Sequence, residues 1–137
     1  METNSKILIV DDTAKNIQMA MNILKDEGYK MFYAKSGEMA LKLVTEHDFD
    51  LILLDIMMPD MNGFEVCKKI KDNDKTKRIP IIFLSGKDSS QDIEQAYEYG
   101  GIDYVVKPFI TIELVTKVNS YTRLKQLEDK FELSKEN

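Results

Sequence analysis

The feature that most constrains this chain is a regular alternation of short, continuous apolar runs with longer amphipathic stretches. Ile7 to Val10, Leu51 to Leu54 and Ile81 to Leu84 are apolar at every position, so strands built from them must be buried on both faces. Tyr29 to Ala34 and Tyr104 to Val106 are shorter or more mixed and read as edge strands. The intervening segments have helical spacing. The first helix is expected over Thr13 to Glu27, with Ala14, Ile17, Met21 and Leu24 three or four apart and Gly28 placed to end it. Further helices are expected over Gly37 to Glu46, Gly63 to Asp72 and Ser89 to Tyr99, the last opened by a capping box of Asp88 and Gln91. Right-handed βα crossovers then give an α/β fold: a doubly wound five-stranded parallel sheet of order 2-1-3-4-5, with helices on both faces.

A chain of 137 residues, 43% hydrophobic, can build one compact core. The expected organisation is a tail over 1–5, one domain over 6–123 and a helical extension or linker over 124–137. A net charge of -5, with basic residues scattered apart from the run Lys75 to Arg78, argues against a nucleic-acid surface. That run reads as a solvated loop. The single cysteine, Cys67, reads as a small core residue, and the start Met1 to Ser5 lacks the basic and apolar blocks of a secretion signal. A cytoplasmic setting is expected. No apolar stretch approaches the roughly 20 residues of a membrane span.

In sheets of this kind ligands bind at the carboxyl ends of the strands. Here strand one ends in Asp11 and Asp12, strand three in Asp55, strand four in Ser85 and strand five in Lys107. Taken singly, each residue has an ordinary reading: Asp12 as a helix N-cap, Ser85 as a turn residue, Lys107 as a surface lysine. Taken together at successive strand ends, they meet in one crevice. Three crowded carboxylates repel by on the order of 1 to 4 kcal/mol per pair at about 4 Å, so the cluster needs a cation. A hard, oxygen-seeking ion such as Mg²⁺ (or Mn²⁺) fits. A carboxylate, a metal and an ammonium together can bind a phosphoryl group and stabilise the charge on its oxygens during transfer.

The segments Ile7-Leu8-Ile9-Val10-Asp11-Asp12, Asp55-Ile56-Met57-Met58-Pro59-Asp60-Met61-Asn62-Gly63, Leu84-Ser85-Gly86 and Gly100 to Phe109, in that order and spacing, closely resemble the receiver domains of bacterial two-component response regulators, over about Lys6 to Arg123. The resemblance implies a flavodoxin-like sheet and a regulatory phosphoacceptor rather than an enzyme acting on outside substrates. It implies that Asp55 takes a phosphoryl group from a phosphohistidine on a histidine kinase or phosphotransfer protein. Asp12, Asp55 and the main-chain carbonyl of Met57 would hold the metal directly, and Asp11 would act through water. Lys107 would pair with Asp55 and then with the phosphoryl group. Ser85 would turn toward the phosphoryl oxygens and Tyr104 would follow, remodelling the face of helix four, strand five and helix five that controls a downstream protein or fused output domain. The resemblance further implies a cis peptide before Pro108. Gly86 and Gly101 stand where the family often has alanine, so both loops are expected to be more mobile than usual. Met57 and Lys87 stand where side chains tune the phosphoryl lifetime.

Two other readings of such a sheet are weaker. A metal-dependent phosphatase with an Asp nucleophile would carry a second acid two residues on, where this chain has Met57, and a flavin module would carry a phosphate loop after strand one. His47, the single histidine, lies away from every strand end and reads as a surface residue. Helix five is expected from Thr111, with Leu114, Val118, Tyr121, Leu124, Leu127 and Phe131 as an apolar series whose last three have coiled-coil spacing. The long last helix and the family together point to a homodimer formed on phosphorylation through the face holding Tyr104.

Overall fold

A computed structural model describes residues 5–86 and 90–136. Five parallel strands, β1 (Lys6–Val10), β2 (Lys30–Ala34), β3 (Leu51–Asp55), β4 (Ile81–Ser85) and β5 (Asp103–Val106), pair in the order 2-1-3-4-5. They alternate with helices α1 (Ala14–Leu24), α2 (Gly37–Glu46), α3 (Gly63–Lys71), α4 (Ser90–Glu98) and α5 (Thr111–Glu136). The mixed runs are the edge strands and the continuous runs are central, as their composition requires.

The period of two along each strand divides the core into two layers. Ile7, Ile9, Leu51, Leu53, Ile82, Leu84 and Val105 point to one face, where Ile17, Ala20 and Leu24 of α1 and Leu114 and Val118 of α5 cover them. Leu8, Val10, Ile52, Leu54, Ile81 and Phe83 point to the other, against Ala40 and Val44 of α2, Val66, Cys67 and Ile70 of α3, and Ala96 of α4. Cys67 is fully buried, as expected of a core residue.

Local chemistry sets the helix ends. Ser36 Oγ accepts the Met39 N–H at 3.1 Å to start α2. Asn62 and Glu65 form a reciprocal capping box at α3, with bonds of 3.0 and 3.1 Å. The box expected at Asp88 and Gln91 involves a residue outside those described. Helix α1 stops at Leu24 rather than Glu27, because the chain turns through residues 25–28, where Gly28, at φ 86°, redirects it into β2. Among the described residues no helix is long and apolar enough to cross a membrane.

Candidate functional site at the carboxyl edge of the sheet

Parallel register fixes the site. Val10 pairs with Leu54, Asp55 with Leu84 and Ser85 with Val106, so the residues that end β1, β3, β4 and β5 come out side by side at one sheet edge. Asp11 is fully buried and Asp55 is 2% exposed, whereas Asp12 is exposed. One carboxylate oxygen from each of the three lies within 4.8 Å of the others.

The charge balance rests on Lys107. Its Nζ donates to Asp11 Oδ2 at 3.1 Å and to Asp55 Oδ1 at 3.1 Å. Its backbone N–H donates to the Ser85 carbonyl at 2.7 Å, which ties the fifth strand end to the fourth. The Lys107–Pro108 peptide is cis, as the resemblance implies. Asp11 Oδ1 accepts the Thr13 N–H at 2.9 Å and Asn16 Nδ2 at 3.5 Å, so both oxygens of this carboxylate are engaged. Thr13, not Asp12, is the N-cap of α1, which leaves the Asp12 carboxylate facing outward at the rim.

Burial raises the Asp55 carboxyl to about 6, and the charge of Asp11 adds to it; Lys107 and the Met57 N–H, 3.4 Å from Asp55 Oδ1, act in the opposite direction. Burial also opposes the Lys107 charge, but its hydrogen bond to Asp11 and the charge of Asp55 outweigh this and hold the ammonium above its ordinary value. A buried carboxylate whose protonated form is this accessible is electrostatically unsatisfied and gains from further positive charge. The donor set, carboxylate oxygens only, fits a hard divalent cation such as Mg²⁺.

Gly63 contributes in a way that its place at the start of α3 does not reveal. Its N–H donates to the Ile56 carbonyl at 2.9 Å, and a Cβ there would collide with the Asp55 main-chain carbonyl. The glycine is required by close approach beneath Asp55; the left-handed residue of that loop is Asp60, at φ 68°. Gly101 is similar: a Cβ would meet the Phe83 ring and lie 2.9 Å from the Ala96 carbonyl oxygen, so this position is tightly packed. Around Gly86 nothing lies within 4 Å of the Cβ position.

Asp11, Asp12, Asp55 and Lys107 therefore converge, with Ser85 buried at the adjoining strand end. Tyr104 does not join them. It pairs with Phe83, two residues back from the edge, and its half-buried ring lies edge-on to Tyr97 with Lys117 Nζ 5.4 Å from its centre. Lys117 also donates to Asp103 at 3.3 Å and to the Tyr104 carbonyl at 3.0 Å, and Tyr121 Oη donates to Asp103 at 2.8 Å. Sequence reading missed this polar network and the Thr13 and Asn16 contacts to Asp11. The latter had a signal, since Asn16 stands one helical turn after Asp12. His47 is half-buried against Phe32 and Phe49, with ring centres 4.5 and 5.9 Å away, remote from the site. Met57 is 74% exposed, and Lys87 lies outside the described residues.

Comparison with known proteins agrees with this geometry. The family model of the response regulator receiver domain matches residues 7–119. A Vibrio cholerae protein named "Probable cyclic di-GMP phosphodiesterase" is 41% identical over 123 residues, which are 90% of this chain and 28% of that protein. The response regulator PleD of Caulobacter vibrioides is 37% identical over 126 residues, 92% of this chain and 28% of PleD. The chain thus spans little more than a quarter of the length of either relative. The structure of the chemotaxis response regulator CheY4 of Vibrio cholerae superposes with a TM-score of 0.81 at 32% identity, covering 87% of this chain and 99% of that one. The chain belongs to the response regulator receiver domain family, the phosphorylation-controlled switches of two-component signalling.

Proposed function

We propose that Asp55 is the phosphoacceptor and that the chain takes its phosphoryl group from a phosphohistidine on a histidine kinase or phosphotransfer protein. The observation that carries this reading is the Lys107 ammonium held 3.1 Å from the buried Asp55 carboxylate, inside a cluster of three acids. A free Asp55 oxygen attacks phosphorus, a P–O bond forms as the P–N bond breaks, and the electron pair returns to the imidazole nitrogen of the donor. Lys107 then exchanges its bond to Asp55 for one to a phosphoryl oxygen while keeping Asp11, so it orients the new group. Asp12, Asp55 and the main-chain carbonyl of Met57 are the residues that would hold Mg²⁺ (or Mn²⁺) directly. Asp11, whose oxygens are already engaged, acts through charge and water. When bound, the ion supplies positive charge that offsets the crowded carboxylates and the phosphoryl oxygens.

The Ser85 hydroxyl accepts the role of contact to the arriving phosphoryl oxygens, and Tyr104 that of the following switch residue. Because Tyr104 is bracketed by Tyr97 and Lys117, any movement of its ring alters the α4, β5 and α5 face at once. That face would control a downstream protein or an output domain fused to the chain. The name of the longer Vibrio cholerae relative makes a cyclic di-GMP phosphodiesterase one form of such an output. The chain itself would work in the cytoplasm as a regulatory phosphoacceptor that assists its own phosphorylation and dephosphorylation.

Incubation with Mg²⁺ and a small phosphodonor, followed by intact mass measurement, tests the reading. One phosphoryl adduct in the wild type and none in Asp55→Asn is expected. Continuous turnover of the donor's leaving group with no adduct on the protein at any time would favour a phosphatase instead.

A further inference from the structure

Tyr104 pairs in register with Phe83, and its half-buried ring packs against the same core layer. Ser85 pairs with Val106, two strand positions further on, so it stands about 7 Å along the sheet from Tyr104. The ring is held from both sides. Tyr97 of α4 meets it edge-on, with ring centres 6.4 Å apart and planes at 83°. On the α5 side the Lys117 ammonium stands 5.4 Å from the ring centre, within range of attraction to the ring face. That ammonium is itself fixed. Its Nζ donates to the Tyr104 carbonyl at 3.0 Å and to Asp103 Oδ1 at 3.3 Å, and Glu113 Oε1 lies 3.9 Å away. Asp103 is held in turn, because its Oδ2 accepts Tyr121 Oη at 2.8 Å and its Oδ1 accepts the Tyr104 N–H at 2.7 Å.

A cation fixed in this way interacts unequally with two arrangements of the ring. It attracts the ring where it now stands, and a ring that moves toward Ser85 leaves that attraction behind. The bonds of Nζ to Asp103 and to the main chain do not depend on where the ring lies. Whatever stabilises the resting arrangement lowers the population ready to receive a phosphoryl group, and the apparent affinity for a phosphoryl mimic falls by the same factor. We propose that Lys117 is a positioning residue that holds Tyr104 in the resting arrangement, and so sets how much of the chain is active before phosphorylation. The proposal rests on the reading of Tyr104 as the switch residue. Lys117 acts from outside the phosphoryl site, since these partners all lie on β5 and α5. Its side chain is 29% exposed, so solvent screens it in part, and the bias is roughly two- to fivefold.

Titration with beryllium at fixed Mg²⁺ and excess fluoride, which forms the phosphoryl mimic beryllofluoride, tests this by NMR of the chain with ring-labelled tyrosine. In the wild type the Tyr104 ring resonances move as the site fills. Lys117→Met reaches half-saturation at roughly two- to fivefold less beryllium, and its Tyr104 resonances start part-way toward their saturated position. Lys117→Arg, which keeps a cation beside the ring, behaves as the wild type. In a Tyr104→Leu background Lys117→Met has no effect on half-saturation, whereas in Tyr104→Phe, which keeps the ring, it has its full effect. Unchanged circular dichroism verifies the fold of each variant. A half-saturation point that is unchanged or raised in Lys117→Met overturns the proposal, and so does one lowered equally in the Tyr104→Leu background. Tyr104 resonances that stay in place when the wild type is saturated would overturn the switch reading itself, and this proposal with it.

Discussion

The Lys107 ammonium and the Asp55 carboxylate, ends of two strands separated in the sheet by β4, are joined by a 3.1 Å ion pair with both side chains largely withdrawn from water. The same ammonium reaches Asp11, so one cation serves two buried acids.

Removing that cation leaves two neighbouring carboxylates without compensation. Lys107→Ala is expected to lose about 2–4 kcal/mol of stability at pH 7.5 in EDTA, as for a buried pair deprived of one partner. Urea denaturation measures it. In a background of Asp55→Asn the same substitution loses much less, because only Asp11 remains charged; equal losses in the two backgrounds would count against the shared-cation account.

The raised Asp55 carboxyl makes stability depend on pH. Its ordinary value is 3.8 and its folded value about 6, so below about pH 4 it is protonated in both states and contributes nothing. Between pH 4 and 6 the folded state resists ionisation, and stability falls as pH rises; above 6 the penalty is complete, on the order of 3 kcal/mol at most. Asp55→Asn, free of that penalty, is expected to be more stable than the wild type by about 1–3 kcal/mol at pH 7.5 in EDTA, with the gap closing toward pH 4. Mg²⁺ should narrow the gap at pH 7.5 by stabilising the wild type. A difference that stays constant with pH contradicts the assignment.

The glycines separate by what surrounds them. Gly63→Ala must push the Asp55 carbonyl aside and Gly101→Ala must displace the Phe83 ring, so each is expected to lose about 1–3 kcal/mol by thermal or urea denaturation. Gly86→Ala meets nothing and should be neutral, or stabilising by a few tenths of a kcal/mol through a less flexible unfolded chain.

The sheet was legible because burial on both faces demands unbroken apolar runs, and those runs name the central strands β1, β3 and β4. The site was legible because four runs stop at a charged or hydroxyl residue. Less was visible where packing rather than periodicity decides. Gly63 reads only as the first residue of a helix, although a glycine is required there by the close approach to the Asp55 carbonyl. Gly101 reads as a source of mobility, although a neighbouring ring fills the space. Tyr104 carries little local sign of the network around it, since Asp103 precedes it in β5 but Lys117 reaches it from the second turn of α5. Thr13 holds the cap position that Asp12 would take in its ordinary reading, a shift of one residue that leaves the acid at the rim.

The most direct test of the central claim locates the phosphoryl group. The chain is treated with phosphoramidate and Mg²⁺, reduced with borohydride to convert any aspartyl phosphate to the corresponding alcohol, and mapped by tandem mass spectrometry of its peptides. Reduction at position 55 alone is the predicted result. Reduction at Asp11, Asp12 or Asp60, or no reduced residue in a chain that has consumed the donor, would contradict it.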